Sequence, residues 1–198
     1  MKADLVICGR GPSMATGLEI AHTLSCDLWT LNDKPAPHTT MHWEIHDRAL
    51  FGPYPAIDAA IATLPAHIPV MSIGTPCPTA RNVMRWPHET YAWYYFKRRP
   101  IAAGGHVLTH YLANSISYMI AYSVMQGTYQ TVYICGVEAC PNSRRESPVE
   151  HPCIAFYVGW GASKGMRFVI APSSHLLTTG VNQWRGQYGA EVCPGFLK

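Results

Sequence analysis

The sequence predicts an α/β fold, a three-layer Rossmann-like sandwich built on a mostly parallel sheet. Two observations carry this expectation. Short, continuous apolar runs alternate along the chain with segments of helical spacing. The first apolar run also breaks off abruptly into GRGPSM, residues 9 to 14, before a helical pattern begins. Strands joined through helices pair in parallel by right-handed crossovers, which puts helices on both faces of the sheet.

The elements follow in order. DLVIC (4–8) reads as a buried strand, being continuous and β-rich rather than alternating. Met14, Leu18, Ile20, Ala21 and Leu24 recur at helical spacing, so 14–24 is a helix. DLWTL (27–31) is a second strand and HWEI (42–45) a short third. IDAAIATL (57–64) is a helix stopped by Pro65. IPVMSI (68–73) is a fourth strand, with Pro69 placing it at an edge or keeping it short. From about 74 to 105 the periodicity fails and aromatics crowd together, as an irregular, partly helical excursion would require. Residues 109–126 lack Gly and Pro and end at Gly127, the mark of a long helix with a glycine C-cap. TVYIC (131–135) is a buried strand, 151–164 a helix with Pro152 in its first turn, and 167–170 a last strand. No repeat or linker divides the 198 residues, so a single nucleotide-binding domain over 1–198 is expected.

Composition narrows the function classes. With 48% apolar and 14% charged residues the chain is globular. A net charge of +3 and one short basic run, Lys97-Arg98-Arg99, argue against a nucleic-acid partner. No segment reaches the ~20 apolar residues that span a bilayer, so no membrane role is expected. The seven cysteines form no C-x-x-C pair, and reduced thiols with no secretory layout suit a cytoplasmic protein. Self-association is left open.

The glycine turn occupies a privileged place, because ligands of open α/β sheets bind beyond the carboxyl ends of the strands. Gly9 and Gly11 allow close backbone approach, Pro12 stiffens the turn, and Ser13 suits the N-cap of the next helix. The N–H groups of that first helical turn favour a phosphate. A plain β-α turn with a capping serine is the competing reading, since the third glycine of the dinucleotide fingerprint is missing.

GRGPSM, WTLND at 29–33 and NSISYMIAYSVMQGTYQTVYICGVE at 114–138 occur in that order. Together they resemble a Rossmann-like superfamily of bacterial sialyltransferases and archaeal 6-hydroxymethylpterin pyrophosphokinase-like proteins, which includes uncharacterised phage members. The resemblance implies a nucleotide-binding transferase that moves a glycosyl or phosphoryl group from an activated nucleotide donor. It places Gly9, Arg10 and Gly11 around the nucleotide phosphates, with Arg10 standing where the sialyltransferases usually carry Asn. Asn32 would contact ribose or phosphate, or else close an Asx turn. Asn114 and Ser115 match the head of the long helix, where Ser115 is otherwise an ordinary helical serine. Gly136 and Glu138 match a glycine and an acid that grips a ribose hydroxyl or base edge, against a solvated loop carboxylate. His151, before the helix, matches the histidine that serves as general base, as an imidazole near neutral pH can. Only ACPNSRRESPVE separates Glu138 from His151, so the long lid of the sialyltransferases is missing. The implied ligand is a nucleotide or nucleotide sugar, with a divalent metal compatible but no dedicated ligand set.

Two further constellations stand out. HTTMHWEIHD carries His38, His42 and His46 with Glu44 and Asp47 nearby. It reads as a metal cluster or, in a strand, as histidines lining the cleft. Trp86, Tyr91, Trp93, Tyr94, Tyr95 and Phe96 suit either a base-stacking surface or core for the excursion. Beside transfer chemistry stand a binding protein that holds a nucleotide without turnover and a structural protein that has lost its ligand.

Overall fold

A computed structural model of the chain describes residues 3–96, 102–103, 106–107, 112, 114–137, 147–174 and 176. The main sheet has seven strands, all parallel: β1 (Ala3–Cys8), β2 (Asp27–Leu31), β3 (Met41–Trp43), β4 (Val70–Ser72), β5 (Val83–Arg85), β8 (Tyr129–Cys135) and β9 (Arg167–Ile170). A small antiparallel pair, β6 (Ala102–Ala103) and β7 (His106–Val107), stands apart from it. The helices are α1 (Met14–Leu24), α2 (Arg48–Phe51), α3 (Pro55–Ala62), α4 (His88–Phe96), α5 (Ser115–Gln126) and α6 (Ser147–Ser163).

Strand order in the sheet is β5-β4-β3-β2-β1-β8-β9. The chain therefore builds outward from β1 in one direction, returns through α4 and α5, and builds outward again from β8 in the other. Period-two alternation sorts the side chains of the central strands into two cores. Leu5 and Ile7 join Trp29, Trp43, Met71, Val132 and Ile134 under α4, α5 and α6. Val6 and Cys8 join Leu28 and Cys135 under α1, and Val70 packs with Ile57 and Ile61 of α3. The three-layer α/β reading holds.

Several boundaries differ from expectation for identifiable reasons. β4 is short but interior, because β5 covers it; β5 itself is three residues of mostly exposed edge, too brief to leave a pattern. α5 starts at Ser115 rather than 109, where Asn114 accepts from Ser117 N at 2.8 Å and Ser117 reciprocates in a capping box. α6 begins at Ser147, so Pro152 lies inside the helix and not in its first turn. The aromatic excursion is largely core: Trp86, Tyr91 and Tyr95 are buried in the main cluster, whereas Trp93 is exposed.

Candidate functional site

The strand order reverses between β1 and β8, and the turns leaving these two strands are bonded to each other. Gly9 N donates to Cys135 O at 2.8 Å, and Gly11 N donates to Gly136 O at 2.8 Å. The Ser13 hydroxyl accepts from Gly136 N at 2.6 Å. Four residues picked out from the sequence, Gly9, Gly11, Ser13 and Gly136, thus meet at one point. Gly9 is required there by close approach, since a Cβ on it would lie 2.2 Å from Gly136 O. Gly136 faces the same crowding and has φ +69°, in the left-handed region. Ser13 occupies the N-cap position of α1, but its side chain makes no cap bond. The expected capping role is replaced by a clasp between the two turns.

The next strand end adds a second pair of loops. Arg10 reaches Asp33, with Nε 2.8 Å from Oδ1 and Nη2 donating to Oδ2 at 3.2 Å. Asn32, beside Asp33, has φ +54° and is buried. The N–H of Lys34 donates to Leu31 O, not to the Asn32 side chain, so no Asx turn forms. The Asn32 Oδ1 atom is buried with no hydrogen-bond partner among the described residues. Its backbone oxygen accepts from His42 Nε2 at 2.9 Å. A carbonyl can only accept, so His42 carries its proton on Nε2, and Nδ1 accepts a hydrogen bond from the Thr30 hydroxyl at 2.8 Å. His42 is fully buried, and desolvation holds its pKa down at about 4. It is a structural histidine, not a cleft-lining one.

The remaining predicted residues are placed less closely. Asn114 and Ser115 open α5, and α5 precedes a parallel strand, so its start lies at the same carboxyl edge of the sheet. The Asn114 side chain is engaged in the capping box. His151 is the fifth residue of α6, one turn inside the helix rather than ahead of it. Glu138 lies outside the described residues.

A second group of charged residues gathers beyond β3, and it was only half visible in the sequence. Glu44 is buried, and its Oε1 accepts from His46 N at 3.0 Å and from the His46 ring at 2.6 Å. The Arg48 guanidinium lies 2.6 Å from Asp58 Oδ1 and 4.0 Å from Glu44 Oε1. HTTMHWEIHD drew attention for its histidines, but β3 ends at Trp43, so Glu44 and His46 pair within a loop instead of sharing a strand face with His42. Among the described residues, no group of three or more His, Cys, Asp or Glu is arranged to hold a metal ion.

No family model, curated protein or solved structure matches this chain. Among the described residues, no helix is long and apolar enough to cross a membrane.

Proposed function

We propose that the protein binds a nucleotide phosphate in the crevice between the carboxyl ends of β1 and β8, as a transferase that moves a glycosyl or phosphoryl group from an activated nucleotide donor. One observation carries this reading: the G-R-G-P-S turn and the Gly136 turn clasp each other where the strand order reverses. Ligands of doubly wound sheets bind at such a reversal. At the head of α1 the Met14 N–H donates to Gly11 O and the Gly17 N–H to Ser13 O; the other N–H groups of that first turn, with the helix dipole behind them, favour an anion. Asn32 supplies a buried amide oxygen, without a partner among the described residues, one strand away and suited to accept a hydrogen bond from a ribose hydroxyl. The ordered motifs GRGPSM, WTLND and the 114–138 segment, which resemble those of the sialyltransferase-like superfamily, support the same assignment.

A second reading, binding without turnover, draws support from Arg10. Its guanidinium already has a two-point partner in Asp33, so it is not free to clamp a transferring phosphate without exchanging that contact.

Calorimetry with nucleoside mono-, di- and triphosphates and nucleotide sugars tests the assignment. The wild type is expected to bind at least one member. Gly11→Val is expected to keep its circular dichroism spectrum and lose at least about tenfold in affinity, because its side chain enters the phosphate crevice. Silence across the whole panel rejects nucleotide binding. Unchanged affinity in the variant moves the site elsewhere.

A further inference from the structure

The nucleotide crevice leaves the charged group beyond β3 unexplained. Glu44 is 1% exposed, and its Oε2 atom is buried without a hydrogen-bond partner among the described residues. Arg48 is 7% exposed in its side chain and lies 4.9 Å from the centre of the Tyr54 ring. Taking such charges out of water costs several kcal/mol per ion, and pairing only partly offsets it. Stability alone does not account for this group.

The ring of His46 is what the group positions. A carboxylate oxygen can only accept, so the 2.6 Å contact places a proton on His46 Nδ1. In the neutral ring Nε2 then holds a lone pair, and the side chain is 32% exposed. Tyr54 and Phe51 flank it, with ring centres 4.8 and 6.2 Å away. An imidazole with one nitrogen fixed by a carboxylate and the other open is built to take a proton.

We infer that His46 is the general base of the transferase site, with Glu44 and Arg48 as positioning residues; this rests on the nucleotide reading above. β3 is two strands from β1 along the same carboxyl edge, roughly 10 Å, a distance that a sugar or phosphoryl group carried on a phosphate bound at β1 can span. In the step, His46 Nε2 takes the proton of an acceptor hydroxyl as that oxygen bonds to the transferred carbon or phosphorus. The bond from that centre to the nucleotide's phosphate oxygen breaks, and its electron pair leaves with the nucleotide phosphate. The acceptor is any hydroxyl compound, water included.

The test uses the full chain with ATP, UDP-glucose, GDP-mannose and CMP-sialic acid, water as acceptor, and nucleotide release as the measurement. His46→Gly is expected to keep nucleotide affinity while kcat falls by about 10²–10⁴-fold, and added imidazole should restore part of the loss. Glu44→Gln should lower kcat with KM little changed and shift the His46 ring from the Nδ1–H form in two-bond proton–nitrogen spectra. Full turnover in a folded His46→Gly variant overturns the inference, as does a loss that imidazole cannot rescue. A wild type that binds a nucleotide yet releases nothing also overturns it and leaves binding without turnover standing. If no nucleotide binds at all, the nucleotide reading fails first and takes this inference with it.

Discussion

Two backbone oxygens decide what residues 9 and 136 can be. Each glycine sits where a Cβ would strike the other's backbone, at 2.2 Å from Gly136 O and 2.7 Å from Gly9 O. The sequence shows that Gly9 allows close backbone approach, but not what approaches: the neighbour that fills the space is 127 residues away along the chain. The glycine turn is legible, whereas the demand for a bare backbone at residue 9 comes from Gly136 and is a tertiary fact. Gly9→Ala is accordingly expected to destabilise the protein by about 3 kcal/mol, at the upper end of overpacking costs, because a backbone carbonyl cannot rotate aside. Urea denaturation reads this directly, and a loss below about 1 kcal/mol would mean that the two turns separate easily. Arg10 was legible as a guanidinium in the glycine turn, but its engagement by Asp33 depends on the register of β1 against β2. The Glu44–His46 pair was visible as two residues at strand spacing. Its chemistry became apparent only with the end of β3 at Trp43.

At the scale of elements, caps and prolines decided where expectation and structure part. The start of α5 falls at Ser115 because Asn114 and Ser117 exchange side-chain bonds with each other's backbone. Apolar periodicity cannot see such a stop, since it extends through residues that the cap excludes. Removing the cap with Asn114→Ala should cost about 1 kcal/mol, measured by denaturant unfolding. α5 contributes Met119, Ile120 and Ala121, all fully buried, so fraying at its first turn is transmitted to the main core. A loss well under half that size would show that Ser117 alone holds the turn. α6 is the opposite case. Proline in a helix interior removes a bond to the carbonyl four residues back and is disfavoured, which argued for placing Pro152 at the start. The structure carries the helix back to Ser147 instead, with Ile154 and Tyr157 anchored in the core. His151 consequently lies one turn within the helix rather than ahead of it.

At the scale of the whole molecule, the parallel sheet was legible because each buried strand declared itself as a continuous apolar run bounded by a turn. The order of the strands was not, since β5 is too short to register and the return from β5 to β8 begins in the stretch, to about residue 105, where periodicity fails. His42 ties these levels together. It lies on a strand interior to the sheet and spans to β2 through Thr30 and Asn32, so its protonation is coupled to the integrity of the sheet next to the crevice. Burial is the main cause of its depressed pKa of about 4, while the Asn32 carbonyl and Glu44 offset part of the effect. The sign follows from which state binds the proton. Above the ordinary value of 6.5 the ring is neutral whether the chain is folded or not, and its contribution to stability is complete. As pH falls below 6.5 the unfolded chain takes up a proton that the folded ring refuses, and stability is lost until about pH 4, where both states are protonated. The gap between 6.5 and about 4 corresponds to about 3 kcal/mol. His42→Gln keeps an amide that can donate to Asn32 O and an oxygen that can accept from Thr30, but it cannot titrate. Urea denaturation of both proteins near pH 7 and near pH 4 should show the wild type losing about 3 kcal/mol more than the variant over that range. Equal losses in the two proteins would mean that His42 takes up its proton in the folded state as readily as in the unfolded one, and that the hydrogen bonds binding β2 to β3 tolerate a charge in their midst.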